Sequence, residues 1–115
     1  MAFKLLVGGY ANVITALSFN PSSTTGALSF VAQSQVGPSP SWIAFHPTNS
    51  SILYAVNEQS TGLLKSFVLN KTSGILVPKS SVTSGGADPA HFAPLKNGKE
   101  VYVTNVSHSV IPESW

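Results

Sequence analysis

Histidine and carboxylate side chains are the groups that most often move protons in catalysis, and this sequence holds few of them. They are His46, His91 and His108, with Glu58, Asp88, Glu100 and Glu113. Two stand where chemistry is plausible: His91 follows the turn Asp88-Pro89, and Glu58 closes the run Tyr54-Ala-Val-Asn-Glu58. Together they are the candidate catalytic residues, able to polarise a water molecule. The plainer reading makes His91 a histidine bonded to backbone at the entrance of a strand, and Glu58 an edge charge at a loop. His46 precedes Pro47 in a turn and has no partner in the sequence. The histidines show neither His-x-His nor His-Glu-x-x-His spacing, so no metal site is expected. No Gly-x-Ser-x-Gly elbow is present to present a serine nucleophile, and no Gly-x-Gly-x-x-Gly loop to hold a dinucleotide or phosphate. No cofactor is expected.

The elements that must position these groups follow from composition. The 115 residues include nine glycines, eight prolines and no cysteine; 43% are hydrophobic and 9% charged, against about 25% charged in an average soluble domain. The surface must therefore be built from Ser, Thr, Asn and backbone, which suits short strands and tight turns better than charged amphipathic helices. A net charge of +2 arises from six scattered lysines against four acids, with no arginine. Without a basic patch, a nucleic-acid partner is not expected. The apolar start, Phe3-Lys-Leu-Leu-Val7, breaks at Gly8-Gly9, too soon for a signal-peptide core. No apolar run approaches the roughly 18 residues of a membrane span, and the expected compartment is the cytoplasm. Asn49-Ser-Ser51, Asn70-Lys-Thr72 and Asn105-Val-Ser107 fit the glycosylation pattern, but without secretion they stay unmodified.

A repeat decides the architecture. Gly26-Ala-Leu28 recurs as Gly74-Ile-Leu76, Pro40-Ser-Trp-Ile-Ala-Phe45 as Pro89-Ala-His-Phe-Ala-Pro94, and Ile52-Leu-Tyr-Ala-Val-Asn57 as Glu100-Val-Tyr-Val-Thr-Asn105. Each pair is offset by about 48 residues, between the repeat lengths of WD40 and kelch propellers. Apolar runs with partial alternation predict nine strands, near 4–9, 14–19, 27–35, 41–45, 52–57, 63–69, 75–82, 91–94 and 100–105. Asn97-Gly98 predicts a hairpin with positive φ at both residues; Gly37-Pro38 and Gly85-Gly86 break the chain between units. The fold class is all-β: a partial β-propeller of about two blades, each a four-stranded antiparallel sheet. With strands named a to d from the axis outward, 4–35 gives b, c and d of one blade, 41–82 a complete blade, and 89–105 the a and b strands of the next. Trp42, Phe45, Phe67 and Tyr102 are expected to pack between blades. Open sheet edges also make self-association a possible role.

With the repeat laid out, Pro40-Ser-Trp-Ile-Ala-Phe-His-Pro47, Ile52-Leu-Tyr-Ala-Val-Asn-Glu58 and Gly85-Gly-Ala-Asp-Pro-Ala-His91 resemble the lactonase family of seven-bladed β-propellers. That family includes cytosolic 6-phosphogluconolactonases and the carboxy-cis,cis-muconate cyclising enzymes. The resemblance covers about residues 4–105, roughly the first third of a member. It implies a small-molecule lactone as substrate of the full-length form, and an active site that also draws histidine, glutamate and arginine from later blades. The isolated chain is therefore expected to be inactive. After Asn105 the sequence departs from the family pattern, with Pro112 and no glycine pair, so 106–115 reads as an aberrant tail.

Overall fold

A computed structural model describes residues 2–107, and all regular elements among them are β-strands. In chain order they are β1 (Phe3–Val7), β2 (Val13–Phe19), β3 (Leu28–Gln35), β4 (Ile43–Phe45), β5 (Ile52–Asn57), β6 (Leu63–Leu69), β7 (Leu76–Thr83), β8 (Ala87–Pro94) and β9 (Val101–Ser107). They form three antiparallel sheets with neighbours in chain order: β1-β2-β3, β4-β5-β6-β7 and β8-β9. This is the expected phase of three, four and two strands, and the fold is a partial β-propeller. No helix is long and apolar enough to cross a membrane. Residues 108–115, including His108 and most of the expected tail, lie outside the described residues.

Turn chemistry sets the meander. In the loops opened by Asn20, Asn49, Asn70 and Asn97, the asparagine Oδ1 accepts a backbone N–H two residues on, which stabilises the reversal without help from the sheet. The repeated glycines Gly26 and Gly74 take φ of 65° and 78°. The last hairpin corrects an expectation. Gly98 has φ of 70°, but Asn97 is not left-handed. Gly98 N donates to Leu95 O and Leu95 N to Glu100 O, so four residues make the loop and one positive φ suffices.

The core is the wedge between blades. Ile14 from the first sheet and Val36, just beyond β3, meet Leu53, Ala55, Phe67, Leu69 and Leu76 from the second. Alternation along β2 and β5 points one side-chain row of each strand into this wedge. Full burial of a side chain such as Phe67, 1% exposed, contributes about 1.5–3 kcal/mol. Leu76 N donates to Ser34 Oγ across the seam at 2.9 Å. The next wedge holds buried Phe92, met edge-on by Tyr54 at 6.2 Å between ring centroids.

Of the four aromatics expected between blades, only Phe67 is buried; Trp42, Phe45 and Tyr102 are 43%, 44% and 52% exposed. Trp42 and Phe45 belong to β4 and its approach, the edge of the four-stranded sheet. Tyr102 lies on β9, the edge of the two-stranded sheet.

Candidate functional site

The chain passes from one blade to the next through two crossovers, residues 36–42 and 84–91, which share a backbone plan. Each opens with a left-handed glycine, Gly37 at φ 89° and Gly85 at φ 74°. Each then places a non-glycine residue in the same region, Ser39 and Asp88, both at φ 53°. A left-handed non-glycine residue costs of order 1 kcal/mol and persists only where its surroundings hold it. They do so here. Ser39 N donates to Ala11 O and Asp88 N to Gln59 O, while Ser39 O accepts from Glu58 N. An asparagine of the adjoining b strand clamps each crossover. Asn57 Nδ2 donates to Pro38 O at 2.7 Å and Asn105 Nδ2 to Ser84 O at 3.1 Å.

These loops gather the candidates at one end of the sheets, where each a strand begins and each b strand finishes. Trp42 precedes β4 and receives Val56 N on its carbonyl. His91 occupies the same position of the next unit, within β8 rather than at its start, because β8 begins at Ala87 and bulges between Pro89 and His91. A bulge of this kind re-aims the side chain that follows it. The His91 ring lies against the Trp42 indole, with centroids 4.7 Å apart and planes tilted by 58°. Equivalent residues of adjacent blades thus meet side by side. Thr104 Oγ1 donates to the His91 carbonyl at 3.2 Å, fixing its backbone.

Glu58 stands one residue beyond β5, half-buried, and its Oε2 accepts a hydrogen bond from the Tyr10 hydroxyl at 3.3 Å. Tyr10 is the corresponding residue of the preceding blade. The Glu58 charge raises the Tyr10 phenol above its ordinary value of 10.0, with the hydrogen bond and slight desolvation acting in the same direction. Among the described residues no hydrogen bond joins Glu58 to His91. They share an end of the molecule but have separate partners. Part-buried His91 thus offers an imidazole able to take up a proton, and Glu58 a carboxylate able to orient a hydroxyl.

His46 has a different place. Its Nδ1 accepts from Thr48 N at 3.1 Å, so the proton sits on Nε2, which donates to Gly98 O at 3.0 Å. It ties the a–b turns of two blades together. Among the described residues no group of three or more His, Cys, Asp or Glu side chains is placed to hold a metal ion.

Sequence reasoning missed Trp42 and Tyr10 as companions of the candidates. The signal was present: the repeat aligns Trp42 with His91 and Tyr10 with Glu58. Residues aligned by a blade repeat sit side by side around the axis.

Comparison with known proteins bears on this arrangement. The family described as "Lactonase, 7-bladed beta-propeller" matches residues 4–112. A protein from Bacteroides fragilis, provisionally named a 6-phosphogluconolactonase, superposes with a TM-score of 0.78 and 26% identity over 90% of this chain and 29% of its own. A protein from Bacteroides uniformis with the same provisional name gives 0.77 and 30% identity over 90% of this chain and 30% of its own. The chain thus spans less than a third of the length of these two solved structures. No curated protein sequence matches significantly.

Proposed function

The chain belongs to the lactonase family of seven-bladed β-propellers, and from that premise we propose that it supplies one wall of a channel that hydrolyses a sugar lactone such as 6-phosphogluconolactone. The observation that carries the reading is the Trp42–His91 contact at the end of the sheets where the a strands begin. Opening a lactone requires water to lose a proton as it attacks the carbonyl carbon, and a donor for the oxyanion that forms. His91 is the base in this reading. Collapse of the tetrahedral intermediate breaks the ring C–O bond, and the departing alkoxide takes the proton back to give the hydroxy acid. Glu58 and Tyr10 orient the sugar hydroxyls. The oxyanion donor comes from blades beyond those described, and the 115-residue chain by itself is inactive.

The test is turnover of 6-phosphogluconolactone and other aldonolactones by a ring-complete protein carrying this segment. The reading expects His91→Ala to lower kcat by about a hundredfold or more, as loss of a general base does. No turnover on any lactone would overturn it.

A second reading rests on β1, the inner edge strand of the first sheet, where Phe3, Leu5 and Val7 are exposed. Unpaired, apolar edges recruit other strands, and the isolated chain then acts as a self-associating module. Light scattering decides: a monomer at all concentrations rules this reading out.

A further inference from the structure

The geometry points to a second ligand site, on the outer half of the complete blade, that takes a small amphipathic carboxylate. A cavity of about 390 Å³ opens where the end of β3 meets β6 and β7, within the roughly 300–1,000 Å³ typical of small-molecule sites. None of the channel-end candidates lines it.

Strand register decides which side chains face it. Residues opposite each other on paired strands share a face, so Lys65 stands beside Ser81, and Phe67 beside Pro78. Between these pairs the register shifts, because Ser66 faces Ser80 and Phe67 faces Pro78. Lys79 is therefore the extra residue of a bulge, and the cavity is lined by both lysines. Lys65 is half-buried and donates from Nζ to Val36 O at 3.1 Å. An ammonium has three donors, and this contact uses one. Gly37 makes room for the group, since a Cβ there would lie 2.9 Å from Nζ.

No acidic residue lines the cavity. Lys65, Lys79 and Ser81 therefore line a space shared with Val36, Phe67 and Pro78. Lysine binds anions as a point charge without demanding a planar fork. A carboxylate head between Lys65 and Lys79, with an alkyl chain over exposed Pro78 and the lysine stem of Lys65, satisfies both the polar and apolar walls. This site is independent of the lactonase reading.

The probe is octanoate, titrated into the isotope-labelled 115-residue chain and followed by amide chemical shifts, with acetate and 1-octanol in parallel. The expected result is shifts concentrated at Gly37, Lys65, Phe67 and Ser81. Acetate, lacking the chain, and octanol, lacking the charge, each bind about tenfold or more weaker, as loss of a charge-assisted hydrogen bond or a buried alkyl chain implies. Lys65→Met, which keeps the stem, weakens octanoate by about the same factor. If Lys65→Met unfolds, Lys79→Gln on the exposed bulge decides, with about threefold weakening expected. The proposal fails if octanoate leaves those amides unmoved through the millimolar range, if octanol binds equally well, or if the deciding variant binds like the parent.

Discussion

The two crossovers, residues 36–42 and 84–91, follow the same backbone path with different side chains, and their differences separate scaffold from chemistry. Both use a left-handed glycine, a left-handed polar residue and a clamping asparagine. At the position of Trp42 in the first, the second carries His91. Where Ser84 Oγ donates to Asn105 Oδ1 at 2.7 Å in the second, the first has Val36, and the buried Asn57 Oδ1 is left without a partner. Val36 instead joins the apolar wedge between blades. The repeat thus specifies a backbone that holds its shape, and the aligned slots within it are free to carry packing in one copy and a titratable ring in the next.

The largest contrast concerns the residues that receive the crossovers. Val36 N donates to Asn12 O, and Ser84 N to Gly62 O. Gly62 is buried, and a Cβ there would meet the Ser84 hydroxyl, with Pro89 Cδ at 2.6 Å and Gly86 O at 2.8 Å. Gly62→Ala should therefore destabilise by about 3 kcal/mol, as overpacking against backbone does. Asn12→Ala, at an exposed site, should fall within about 0.5 kcal/mol of neutral. Urea midpoints of the two variants check this, and equal losses would mean that the crossovers are not supported differently.

The glycines themselves give a smaller contrast. An added Cβ at Gly85 meets nothing within 4 Å, whereas at Gly37 it lies 2.9 Å from Lys65 Nζ and 3.3 Å from Asn57 Nδ2. Gly85→Ala should lose about 1 kcal/mol from backbone conformation alone, and Gly37→Ala about 2 kcal/mol. Thermal unfolding that ranks them in the opposite order would break the assignment of Lys65 and Asn57 to the first crossover.

Smaller still is the effect of giving Asn57 the donor it lacks. Val36→Ala removes buried methyl groups and should destabilise by about 1.5 kcal/mol. Val36→Ser removes the same bulk but adds a hydroxyl beside Asn57 Oδ1, recovering about 1 kcal/mol through the hydrogen bond seen at Ser84–Asn105. Serine should then be the better tolerated replacement, contrary to the usual order at an apolar site. A costlier serine would show that the oxygen is not available as an acceptor.

The least perturbation is spectroscopic. Tyr10 should titrate above its ordinary value because the Glu58 charge opposes phenolate formation, and Glu58→Gln should return it toward normal. A raised folded-state value favours the neutral phenol, so this contribution to folding is present below the unfolded-state value and disappears as pH rises through the folded one. Phenolate absorbance that is the same in both proteins would remove Glu58 from contact with Tyr10.

Strand number, sheet grouping and blade phase were legible because they depend on periodicity and turn residues, which are local. Asn20, Asn49, Asn70 and Asn97 open their turns through their own side chains. What could not be read locally was the order imposed by crossovers. Backbone bonds between distant residues begin β4 at Ile43 rather than near residue 41, and start β8 at Ala87 rather than near residue 91. β9 likewise runs through Ser107, two residues into the expected tail. His91 and Glu58 were found by type and position, but their companions Trp42 and Tyr10 come from neighbouring blades. A hydropathy pattern does not distinguish an aromatic on a sheet-edge strand from one filling a wedge.

The central claim is that this chain carries one wall of a lactone-hydrolysing channel and has no turnover of its own. Hydrolysis of 6-phosphogluconolactone by the purified 115-residue chain, measured beside its His91→Ala variant, tests it most directly. Loss of one preorganised oxyanion donor lowers kcat by about a hundredfold or more, and this chain matches less than a third of the length of the solved propellers it resembles. The account predicts that both proteins hydrolyse the lactone no faster than buffer. Robust turnover by the parent chain, abolished in His91→Ala, would contradict it and make His91 a complete catalyst within two and a fraction blades.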